Sequence, residues 1–426
     1  MNYEESLDYL DTRPAPMGDF TTDNIKALLN RLNNPQNCGQ TIHITGTNGK
    51  GSVASFLTNA LLENNLSVGK FTSPYLIDIR ESVQVDGEFI SKDDFVKNLE
   101  IIKKEIDVLD SENIIVSSFE ILTTIAYLYF KEKNVDFNVI EVGMGGRVDA
   151  TNTEDENISV FCAISLDHTG ILGKNLKEIA YQKGGLIRKE SIAFSYPQDV
   201  EAKNELLRIC EEENSEFRDF RFDEVEIVEA NDTDTVFNFR NFKNVKTNLI
   251  GEYQAYNASV ALMVLEYLKK DYNLDNEKIK LGIEKSRNIG RLELLSKSPK
   301  VLIDGSHNDA SIHVLTENIS KFNYDKLILG FSVLIDKNHE KILSQVEKLA
   351  DKIVLTEIDN DRHTPLNDLK EEFEKITDKE IYAIEDRKKA AEKTLELAGE
   401  NDLVLWCGSL YLIKDMRKIL LEILNN

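Results

Sequence analysis

The chain has 426 residues, of which 41% are hydrophobic and 30% are charged, a composition typical of folded globular proteins. Its length is too great for one ordinary domain, so we expect two. The 51 basic and 75 acidic residues give a formal charge of −24, which argues against a protein that binds nucleic acid by neutralising its phosphates. No apolar segment approaches the roughly 20 residues needed to cross a bilayer, so we also expect no membrane partner.

The N-terminus and the cysteines indicate a cytoplasmic protein. The first ten residues, MNYEESLDYL, lack the basic-then-apolar order of a signal peptide. The cysteines lie far apart and form no Cys-x-x-Cys pair, so we expect neither a disulfide framework nor a zinc ribbon. They are Cys38, Cys162, Cys210 and Cys407.

In chain order, predicted strands and helices alternate through the first half. Short apolar runs separated by helical segments predict strands at residues 41–46, 67–73, 137–144, 158–164 and 191–196. Residues 217–247 alternate apolar and polar residues without a helical period, so we expect a small antiparallel addition there, before a helix that starts near Glu252. The alternation predicts an α/β domain with a mostly parallel sheet over residues 1–297.

The second half repeats the pattern more regularly. The segment KSPK at residues 297–300 carries a proline and a serine and is the predicted linker. Beyond it, apolar runs followed by helical segments predict strands at residues 300–305, 326–332, 352–358, 380–385 and 402–408. This pattern predicts a smaller Rossmann-like domain over residues 298–426.

The segment from Thr41 to Val53 reads TIHITGTNGKGSV and places three glycines and Lys50 between a predicted strand and a predicted helix. Glycines let backbone N–H groups converge on phosphate oxygens, and the helix N-terminus adds a partial positive charge. The spacing departs from the usual G-x-x-x-x-G-K-[ST], because Ile44 stands at the first glycine position and Gly51 follows the lysine. The segment indicates a phosphate-binding loop, and a tight strand-to-helix turn remains the alternative.

The stretch GTNGKGS (46–52) resembles the nucleotide loop of the Mur ligase superfamily, and within it that of the folylpolyglutamate synthase/dihydrofolate synthase family. Further stretches along nearly the whole chain resemble blocks of that family in the same order. They are FTSPYL (71–76), SSFE (117–120), EVGMGGRVDATN (141–152), LDHTGILG (166–173), IAYQKGGLI (179–187), GEYQAYNA (251–258), NIGRLE (288–293), DGSHN (304–308) and GSLYLI (408–413).

The resemblance implies an α/β fold in which a P-loop-containing, Mur-ligase-like central domain precedes the Rossmann-like C-terminal domain. It also implies an ATP-dependent amide ligase that adds L-glutamate to a folate, to dihydropteroate or to both, through an acyl phosphate, with release of ADP and phosphate. Phosphoryl transfer of this kind depends on positioning and charge neutralisation. ATP would lie in a cleft between the two domains, and domain closure would be part of catalysis.

Two Mg²⁺ ions are a further implication of the resemblance, and Mg²⁺ prefers oxygen ligands. Glu141, at the end of a predicted strand, and His168, after the next strand, correspond to metal ligands of the family. The hydroxyls of Ser52 and Ser73 correspond to further magnesium contacts. For isolated residues, the alternatives are an ion pair at a sheet edge for Glu141 and a packing or capping role for His168.

Lys183 corresponds to a lysine that CO₂ carbamylates in the family, which turns a cation into a carboxylate able to bind the second Mg²⁺. That reaction needs a neutral amine, and therefore a lysine whose pKa is lowered in a partly desolvated site. Direct pairing of Lys183 with the phosphates remains the alternative. Together with Lys50 and His168, Lys183 makes up the predicted catalytic set.

For ATP, the resemblance implies that the loop wraps the triphosphate through Asn48, Gly49, Lys50, Gly51 and Ser52. Other nucleotide contacts would come from later segments of the chain. These are Asn257 near the adenine, Arg291 on the phosphates, Asp304 on the ribose, and His307 close to the nucleotide.

The pterin-bearing substrate would meet Phe119, Glu120 and Asp149. The ring of Phe119 offers a flat face, and the two carboxylates would accept hydrogen bonds from ring nitrogens. Without the resemblance, Phe119 would be read as a core residue. Residues 18–21, on the pterin side of the site, read Gly-Asp-Phe-Thr where the family often has Gly-Leu-Glu-Arg.

Two other functions remain as alternatives. A peptidoglycan-precursor ligase of the same superfamily carries an additional N-terminal domain for the UDP-sugar, and the 45 residues before Gly46 are too few for one. A nucleotide-switched ATPase would turn over ATP without a carboxylate acceptor. We expect a monomer whose partners are small molecules: ATP, L-glutamate, and folate or dihydropteroate.

Overall fold

The computed structural model describes residues 1–14, 21–76, 78–320 and 322–425. Gly18, Asp19 and Phe20 of the predicted pterin-side segment therefore lie outside the described residues. The chain divides into two compact units. The first comprises residues 1–226, 237–246 and 255–286, and the second comprises residues 227–236, 247–254 and 287–426. Within the described ranges, no helix is both long enough and apolar enough to span a bilayer.

Up to residue 286, the described part of the chain forms α-helices and strands in a mixed order. The helices are α1 (Tyr3–Thr12), α2 (Asp23–Arg31), α3 (Lys50–Glu63), α4 (Lys92–Ser111), α5 (Ser118–Lys133), α6 (Leu176–Gly184), α7 (Val200–Glu212), α8 (Tyr253–Leu268) and α9 (Asn276–Lys285). The strands are β1 (Gln40–Thr45), β2 (Val68–Phe71), β3 (Val83–Val85), β4 (Glu88–Phe89), β5 (Phe137–Glu141), β6 (Ile158–Phe161), β7 (Ile192–Ser195), β8 (Glu216–Asp219), β9 (Val225–Ala230), β10 (Thr235–Phe239) and β11 (Phe242–Thr247).

The first unit contains an eight-stranded sheet in the order β4-β3-β2-β5-β1-β6-β7-β8. The strands from β2 to β8 in this order pair in parallel, and the short β3 and β4 pair antiparallel at one edge. Strands β5 and β6 are buried along their whole length, as expected of central strands in a parallel sheet. The mostly parallel sheet predicted from the alternating pattern is present.

Strand β1 lies where the strand order reverses, between β5 and β6. In open parallel sheets, the carboxyl ends of the strands at such a point form the ligand crevice. The glycine loop follows β1, Glu141 is the last residue of β5, and the segment leading to His168 follows β6. The topology therefore brings three predicted site segments to the same edge of the sheet.

A separate three-stranded sheet, in the order β11-β10-β9, accounts for most of the alternating pattern before α8. Only two residues join β10 to β11, a connection that requires antiparallel strands. The predicted start of this addition near residue 217 is wrong, because β8 pairs in parallel with β7 as an edge of the large sheet. As an edge strand, β8 has no fully buried residue, so its mixed polar and apolar sequence resembles that of an antiparallel ribbon.

The second unit contains a six-stranded sheet in which one edge strand runs antiparallel to its neighbour. Its strands are β12 (Glu293–Lys297), β13 (Lys300–Ile303), β14 (Leu327–Phe331), β15 (Lys352–Leu355), β16 (Glu380–Ala383) and β17 (Leu403–Cys407). Its helices are α10 (Asp309–Ile319), α11 (His339–Leu349), α12 (Leu366–Glu374), α13 (Arg387–Leu397) and α14 (Leu410–Leu424). The sheet order is β12-β13-β17-β14-β15-β16, and the five predicted strands of this half correspond to β13–β17.

The predicted linker at residues 297–300 is a turn within the second unit. Strands β12 and β13 pair antiparallel, with Lys297 opposite Lys300, so these residues close a hairpin. The last segment of the second unit begins at Arg287, ahead of the predicted boundary between residues 297 and 298. A short polar segment with a proline has the same sequence signature whether it joins two domains or two paired strands.

Trp406, the only tryptophan of the chain, lies in the interior of the second unit. It is fully buried in β17, and its ring packs against Gly330 of β14. A Cβ atom at position 330 would lie 2.1 Å from the ring, so glycine is the residue that leaves room for it. The indole N–H donates to Thr394 Oγ1 at 3.3 Å, which satisfies its polar atom.

Candidate active site

Residues that follow the central strands β1, β5 and β6, together with residues of α3 and α6, line a small pocket of about 40 Å³. The predicted catalytic residues Lys50, His168 and Lys183 all contribute to its wall. The full lining is Gly46, Thr47, Lys50, Val142, Gly143, Met144, Gly145, Asp167, His168, Leu172 and Lys183. The sheet topology thus brings together residues that are more than 130 positions apart in the sequence.

The glycine loop connects β1 to α3 and requires glycine at two positions. Gly46 has a φ of 149°, and a Cβ atom there would lie 2.6 Å from Cys162 Cβ. Gly49, the N-cap of α3, has a φ of 94°, and a Cβ atom there would lie 2.6 Å from Asn257 Oδ1. Asn257, the predicted adenine contact on α8, therefore packs directly against the loop. At the start of α3, the first-turn N–H groups have no partners within the helix and can face an anion.

Hydrogen bonds fasten the loop to the segment that follows β6. The N–H groups of Thr47 and Asn48 donate to the carbonyl of Ala163 at 2.8 and 3.3 Å. The Thr47 hydroxyl donates to the carbonyl of Ser165 at 3.0 Å and accepts from the Ser165 N–H at the same distance. These bonds hold the loop against the segment that carries His168.

Two lysine side chains meet at the carbonyl of Gly46. Lys50 Nζ lies 3.2 Å from this oxygen and Lys183 Nζ lies 2.8 Å from it. Burial, together with the positive charge of Lys50, lowers the pKa of Lys183 to about 7. A large fraction of Lys183 therefore carries a neutral amine near pH 7.

Glu141 is a buried carboxylate at the end of β5, with 6% of its surface exposed. The charge of Glu141 acts on Lys70 of β2. Burial lowers the pKa of Lys70 to about 8, and the carboxylates of Glu141 and Glu81 oppose that shift. Ser52 is buried in the first turn of α3, and Ser73 follows the end of β2. Of these predicted metal ligands, Glu141 ends a strand of the central sheet, Ser73 follows another strand, and Ser52 lies on the helix after β1.

His168 stands in a turn beyond β6. Its φ of 48° lies in the left-handed region that few residues other than glycine occupy, a feature common at functional sites. Its N–H donates to Asp167 Oδ1 at 2.9 Å, and its Nε2 lies 3.9 Å from Asp167 Oδ2. The imidazole is 47% exposed, so it remains accessible from the pocket.

The segment between β5 and β6 forms what we name the acceptor turn, residues 143–151. Asp149 organises this turn: its Oδ1 accepts from the Thr151 N–H at 3.0 Å and from Thr151 Oγ1 at 2.6 Å, and its Oδ2 accepts from the Met144 N–H at 2.8 Å. Burial raises the pKa of Asp149, while these hydrogen bonds oppose the shift. A Cβ atom at Gly143 would lie 2.6 Å from the Phe119 ring and 3.2 Å from Asp149 Oδ2. The predicted pterin residues Phe119 and Asp149 therefore adjoin at Gly143.

Glu120, the third predicted pterin residue, caps α5. Its Oε2 accepts from the Ser117 N–H and from the Ser117 hydroxyl, both at 2.7 Å, and the Ser117 side chain accepts from the Glu120 N–H. This reciprocal capping box satisfies backbone donors at the start of the helix. Glu120 is 8% exposed, so the helix terminus accounts for most of its environment.

In the second unit, the three predicted nucleotide residues lie on two adjacent segments. Asp304 Oδ2 accepts from the Leu292 N–H at 2.6 Å, and its Oδ1 accepts from the Ser306 N–H at 2.8 Å. Arg291 precedes Leu292, and its Nη1 would lie 3.3 Å from a Cβ atom at Gly305. His307 Nδ1 lies 2.8 Å from the carbonyl of Gly305. Asp304 thus ties together the segments that carry Arg291 and His307.

Comparison with known proteins matches residues 44–265 to the Mur ligase middle domain and residues 290–410 to the Mur ligase, glutamate ligase domain. A dihydrofolate synthase/folylpolyglutamate synthase from Bacillus subtilis is 32% identical over 415 residues, which cover 92% of this chain and 93% of that protein. The chain belongs to the folylpolyglutamate synthase/dihydrofolate synthase family. The resemblance predicted from the sequence is confirmed.

Solved structures agree with the family in fold. A Mycobacterium tuberculosis folylpolyglutamate synthase complexed with ADP superimposes with a TM-score of 0.91 at 27% identity, covering 98% of both chains. A Thermotoga maritima folylpolyglutamate synthase gives a TM-score of 0.86 at 31% identity, covering 98% of this chain and 96% of that one. The α/β fold with mostly parallel sheets, a Mur-ligase-like domain and a Rossmann-like C-terminal domain is therefore the fold of the folylpolyglutamate synthases.

Sequence reasoning missed several residues of this family member's pocket. Thr47 and Asp167 line it, and Lys70 lies in the field of Glu141. The order Asp167-His168 after a strand was the available signal for Asp167. For Lys70 there was no sequence signal, because a lysine within a short strand normally reaches solvent.

Proposed function

We propose that this chain is an ATP-dependent ligase that joins L-glutamate to dihydropteroate, to a folate, or to both. The observation that carries the proposal is the match over nearly the whole chain to relatives named for these activities. The pocket at the switch point of the central sheet, with Lys50, His168 and Lys183 in its wall, supports it. The Mycobacterium tuberculosis relative binds ADP, which is the product this reaction would release.

The proposed reaction has two steps, formation of an acyl phosphate and its reaction with glutamate. A carboxylate oxygen of the acceptor attacks the γ-phosphorus of ATP, the bond to the bridging oxygen breaks, and ADP leaves. The amine of glutamate then attacks the carbonyl carbon of the acyl phosphate, the carbon–oxygen bond breaks, inorganic phosphate leaves, and the nitrogen loses a proton. Positioning and neutralisation of phosphate charge are the tasks left to the protein.

We assign ATP binding first to the glycine loop. Lys50 supplies a full positive charge to the β- and γ-phosphates, and the N–H groups at the start of α3 add the helix dipole. Asn48, Gly49, Gly51 and Ser52 complete this loop. Further nucleotide contacts are assigned by the family resemblance to Asn257, Arg291, Asp304 and His307.

Magnesium fits the donor set of the first unit. Among the described residues, no group of three or more His, Cys, Asp or Glu side chains could hold a metal, which disfavours a metal enclosed by protein ligands alone. Mg²⁺ typically takes one or two carboxylates and completes its shell with water and phosphate oxygens. We propose that Glu141 and His168, with the hydroxyls of Ser52 and Ser73, hold two such ions. When bound, the ions would neutralise charge on the transferring phosphoryl group.

Lys183 is proposed to react with CO₂. Its amine lone pair forms a bond to the carbon of CO₂, one proton leaves to solvent, and a carbamate with one negative charge results. The burial that lowers the pKa of Lys183 to about 7 supports this step, because only the neutral amine is nucleophilic. The carbamate would supply an anionic ligand beside the phosphates.

The acceptor is proposed to bind along α5 and the acceptor turn. Phe119 offers its ring to the pterin, and Asp149 holds the turn beside it. Glu120 is assigned to the same substrate by the family resemblance, and it also caps α5.

A single labelling experiment tests the function. Purified protein receives ATP, Mg²⁺ and radiolabelled glutamate, with dihydropteroate in one tube and tetrahydrofolate in another. Label in either product supports the proposal, and the tube in which it appears decides between the two activities. ADP release without label in either product would overturn it in favour of a nucleotide-switched ATPase, and the peptidoglycan alternative predicts label only when a UDP-sugar acceptor is offered.

A further inference from the structure

A buried chain of polar side chains runs from the acceptor turn into the interior of the first unit. It begins at Asp149, continues through Thr151 and His43, and ends at Glu154. His43 is a β1 residue with no exposed surface, three positions before Gly46. None of the steps proposed above uses His43, Thr151 or Glu154.

The hydrogen bonds between these four side chains have a defined donor and acceptor at each step. Thr151 Oγ1 has one proton, and its short contact of 2.6 Å to the Asp149 carboxylate requires that proton, because a carboxylate oxygen can only accept. Thr151 Oγ1 must then accept from His43 Nε2, which lies 2.9 Å away. His43 is therefore the tautomer that carries its proton on Nε2.

The other ring nitrogen of His43 faces a second carboxyl group. His43 Nδ1 lies 3.5 Å from Glu154 Oε2, and both atoms are electron-rich unless Glu154 carries a proton. Burial lowers the pKa of His43 to about 3, so the imidazole is neutral at ordinary pH. Tyr127 Oη contacts the remaining oxygen of Glu154 and lies 2.9 Å from the carbonyl of Thr151.

A second bond joins β1 to the same turn. The Thr45 hydroxyl donates to the carbonyl of Gly145 at 2.6 Å, and Gly145 lines the pocket with Lys50 and Lys183. Thr45 is the last residue of β1 and Gly46 begins the glycine loop. Side chains of one strand thus fix the acceptor turn, and the end of the same strand positions the loop.

We propose that His43 is a positioning residue that holds the acceptor turn in register with the glycine loop, acting through Thr151 on Asp149. The inference rests on the proposed function, since it assigns acceptor binding to this turn. It predicts that the loss of the His43 N–H displaces the acceptor while leaving ATP in place. A displacement of about 1 Å at a reacting group is enough to cost orders of magnitude in rate.

The test compares two substitutions at one position with a control on the same strand. His43→Leu removes both ring nitrogens, whereas His43→Gln keeps an N–H donor that reaches the place of Nε2. Thr41→Val alters another buried polar residue of β1, whose hydroxyl accepts a long hydrogen bond of 3.4 Å from Asn138 Nδ2. We expect His43→Leu to raise KM for the acceptor about 10-fold with KM for ATP within about 2-fold, and His43→Gln and Thr41→Val to stay within about 3-fold for both.

Thr151 provides a second pair in case His43→Leu does not fold. Thr151→Val removes the hydroxyl without a change of shape, and Thr151→Ser keeps it. Thr151→Val should raise the acceptor KM as His43→Leu does, and Thr151→Ser should not. Two outcomes would show that these hydrogen-bonded side chains are only part of the core. One is an equal effect of the two Thr151 substitutions, and the other is an equal rise of the KM values for ATP and for the acceptor in His43→Leu.

The tautomer is measured without any enzyme assay. Histidine labelled with ¹⁵N, with His43→Gln identifying the signal, should show His43 neutral with its proton on Nε2 between about pH 5 and about pH 6, where Glu154 keeps its proton. An imidazolium, or a proton on Nδ1, would overturn the positioning proposal even if the ligase activity is confirmed. Absence of ligase activity with the expected tautomer would instead count against the proposed function.

Glu154 gives a further test, because its ionisation should change the acceptor KM with pH, whereas a purely structural role for His43 would not. The groups that face it are Tyr127 of α5, His43 of β1 and Arg188 beyond α6. Burial raises the pKa of Glu154 to about 7, so its ionisation above that pH places a charge against His43 Nδ1. The acceptor KM of the unmodified chain should therefore rise about 3-fold or more above pH 7, and Glu154→Gln should abolish that rise. The same profile in both proteins would contradict the proposal.

Discussion

Two lysine side chains share one carbonyl oxygen at the centre of the site. Lys50 and Lys183 both approach the carbonyl of Gly46, and the charge of Lys50 disfavours a proton on Lys183. In a chain with a formal charge of −24, an anion is drawn only to such a local concentration of cations and N–H groups. At the scale of single residues, this pair is the feature that the triphosphate would use.

Substitution of Lys50 tests that use. Lys50→Ala removes the charge while the glycines and the start of α3 remain, so we expect the rate of ADP formation to fall about 100-fold or more. Lys189→Ala, at a lysine whose side chain is 77% exposed, is the matched control and should keep the full rate. Steady-state ADP release measures both, and equal rates in the two variants would rule out a role for Lys50.

Dissolved CO₂ tests Lys183. The free amine gains population as the pH rises through about 7, so carbamylation depends on both pH and CO₂. We expect the rate to fall in buffer depleted of CO₂ and to recover when bicarbonate is added, while Lys183→Met stays inactive in both. A reaction rate that does not depend on CO₂ would favour direct contact of Lys183 with the phosphates.

Some residues of the candidate site could be predicted from the sequence, and others could not. Lys50, His168 and Lys183 were predicted from motifs, and they meet in one pocket because the motifs follow the carboxyl ends of neighbouring strands. His43 and Glu154 were not predicted. A buried histidine within a strand has no sequence signature that separates a hydrogen-bonded role from ordinary packing.

At the scale of elements, the start of α5 joins a structural role to a predicted binding role. Ser117 caps the helix and Glu120 returns a hydrogen bond to the Ser117 N–H. The same carboxylate is assigned to the pterin-bearing substrate. A capping box accepts glutamine as well as glutamate, so the two roles can be separated by charge.

Substitutions at the two positions should therefore differ. Ser117→Ala removes the cap and should lower the free energy of unfolding by about 1 kcal/mol. Glu120→Gln keeps the cap but removes the charge, so its stability should change by less than about 0.5 kcal/mol while KM for the acceptor rises several-fold. Urea denaturation and initial rates provide the measurements, and an unchanged KM in Glu120→Gln would confine this residue to capping.

Most strands were predictable, whereas boundaries between substructures were not. Apolar runs identify β13–β17 because buried parallel strands need continuous hydrophobic residues. The assignment of β8 to the large sheet and the hairpin at residues 297–300 depend on which strands pair. Pairing is a long-range property, and neither composition nor local periodicity contains it.

At the scale of the whole molecule, buried ionisable groups link stability to pH. Burial raises the pKa of Glu154 from 4.5 to about 7 in the folded chain. Between these values the folded state holds a proton that the unfolded state has lost. The contribution of this group is therefore fully present below about pH 4.5 and is lost as the pH rises through about 7.

Glu154→Gln should lack this dependence. Relative to the unmodified chain, the variant should gain up to about 3 kcal/mol of stability between about pH 5 and about pH 8. Urea denaturation followed by circular dichroism at the two pH values measures the difference. A constant difference between the two proteins would mean that Glu154 is already ionised in the folded chain throughout this pH range.

Net charge sets a second property of the whole molecule. The formal charge of −24 repels ATP, and salt screens such long-range repulsion within a Debye length of about 10 Å at 0.1 M. The proposed contacts between the phosphates and the partly buried Lys50 would be shorter and would be screened less. We expect KM for ATP to fall as NaCl rises from about 0.01 M to about 0.1 M at constant Mg²⁺, and a rising KM would show that local attraction dominates.

The single tryptophan gives this chain a built-in optical probe. Trp406 is sealed against Gly330 inside the second unit, and the first unit has no tryptophan. Indole fluorescence therefore reports the unfolding of the second unit, whereas far-ultraviolet dichroism reports helices and strands of both. Noncoincident melting curves from the two signals would reveal whether the halves of this ligase lose their structure together or one after the other.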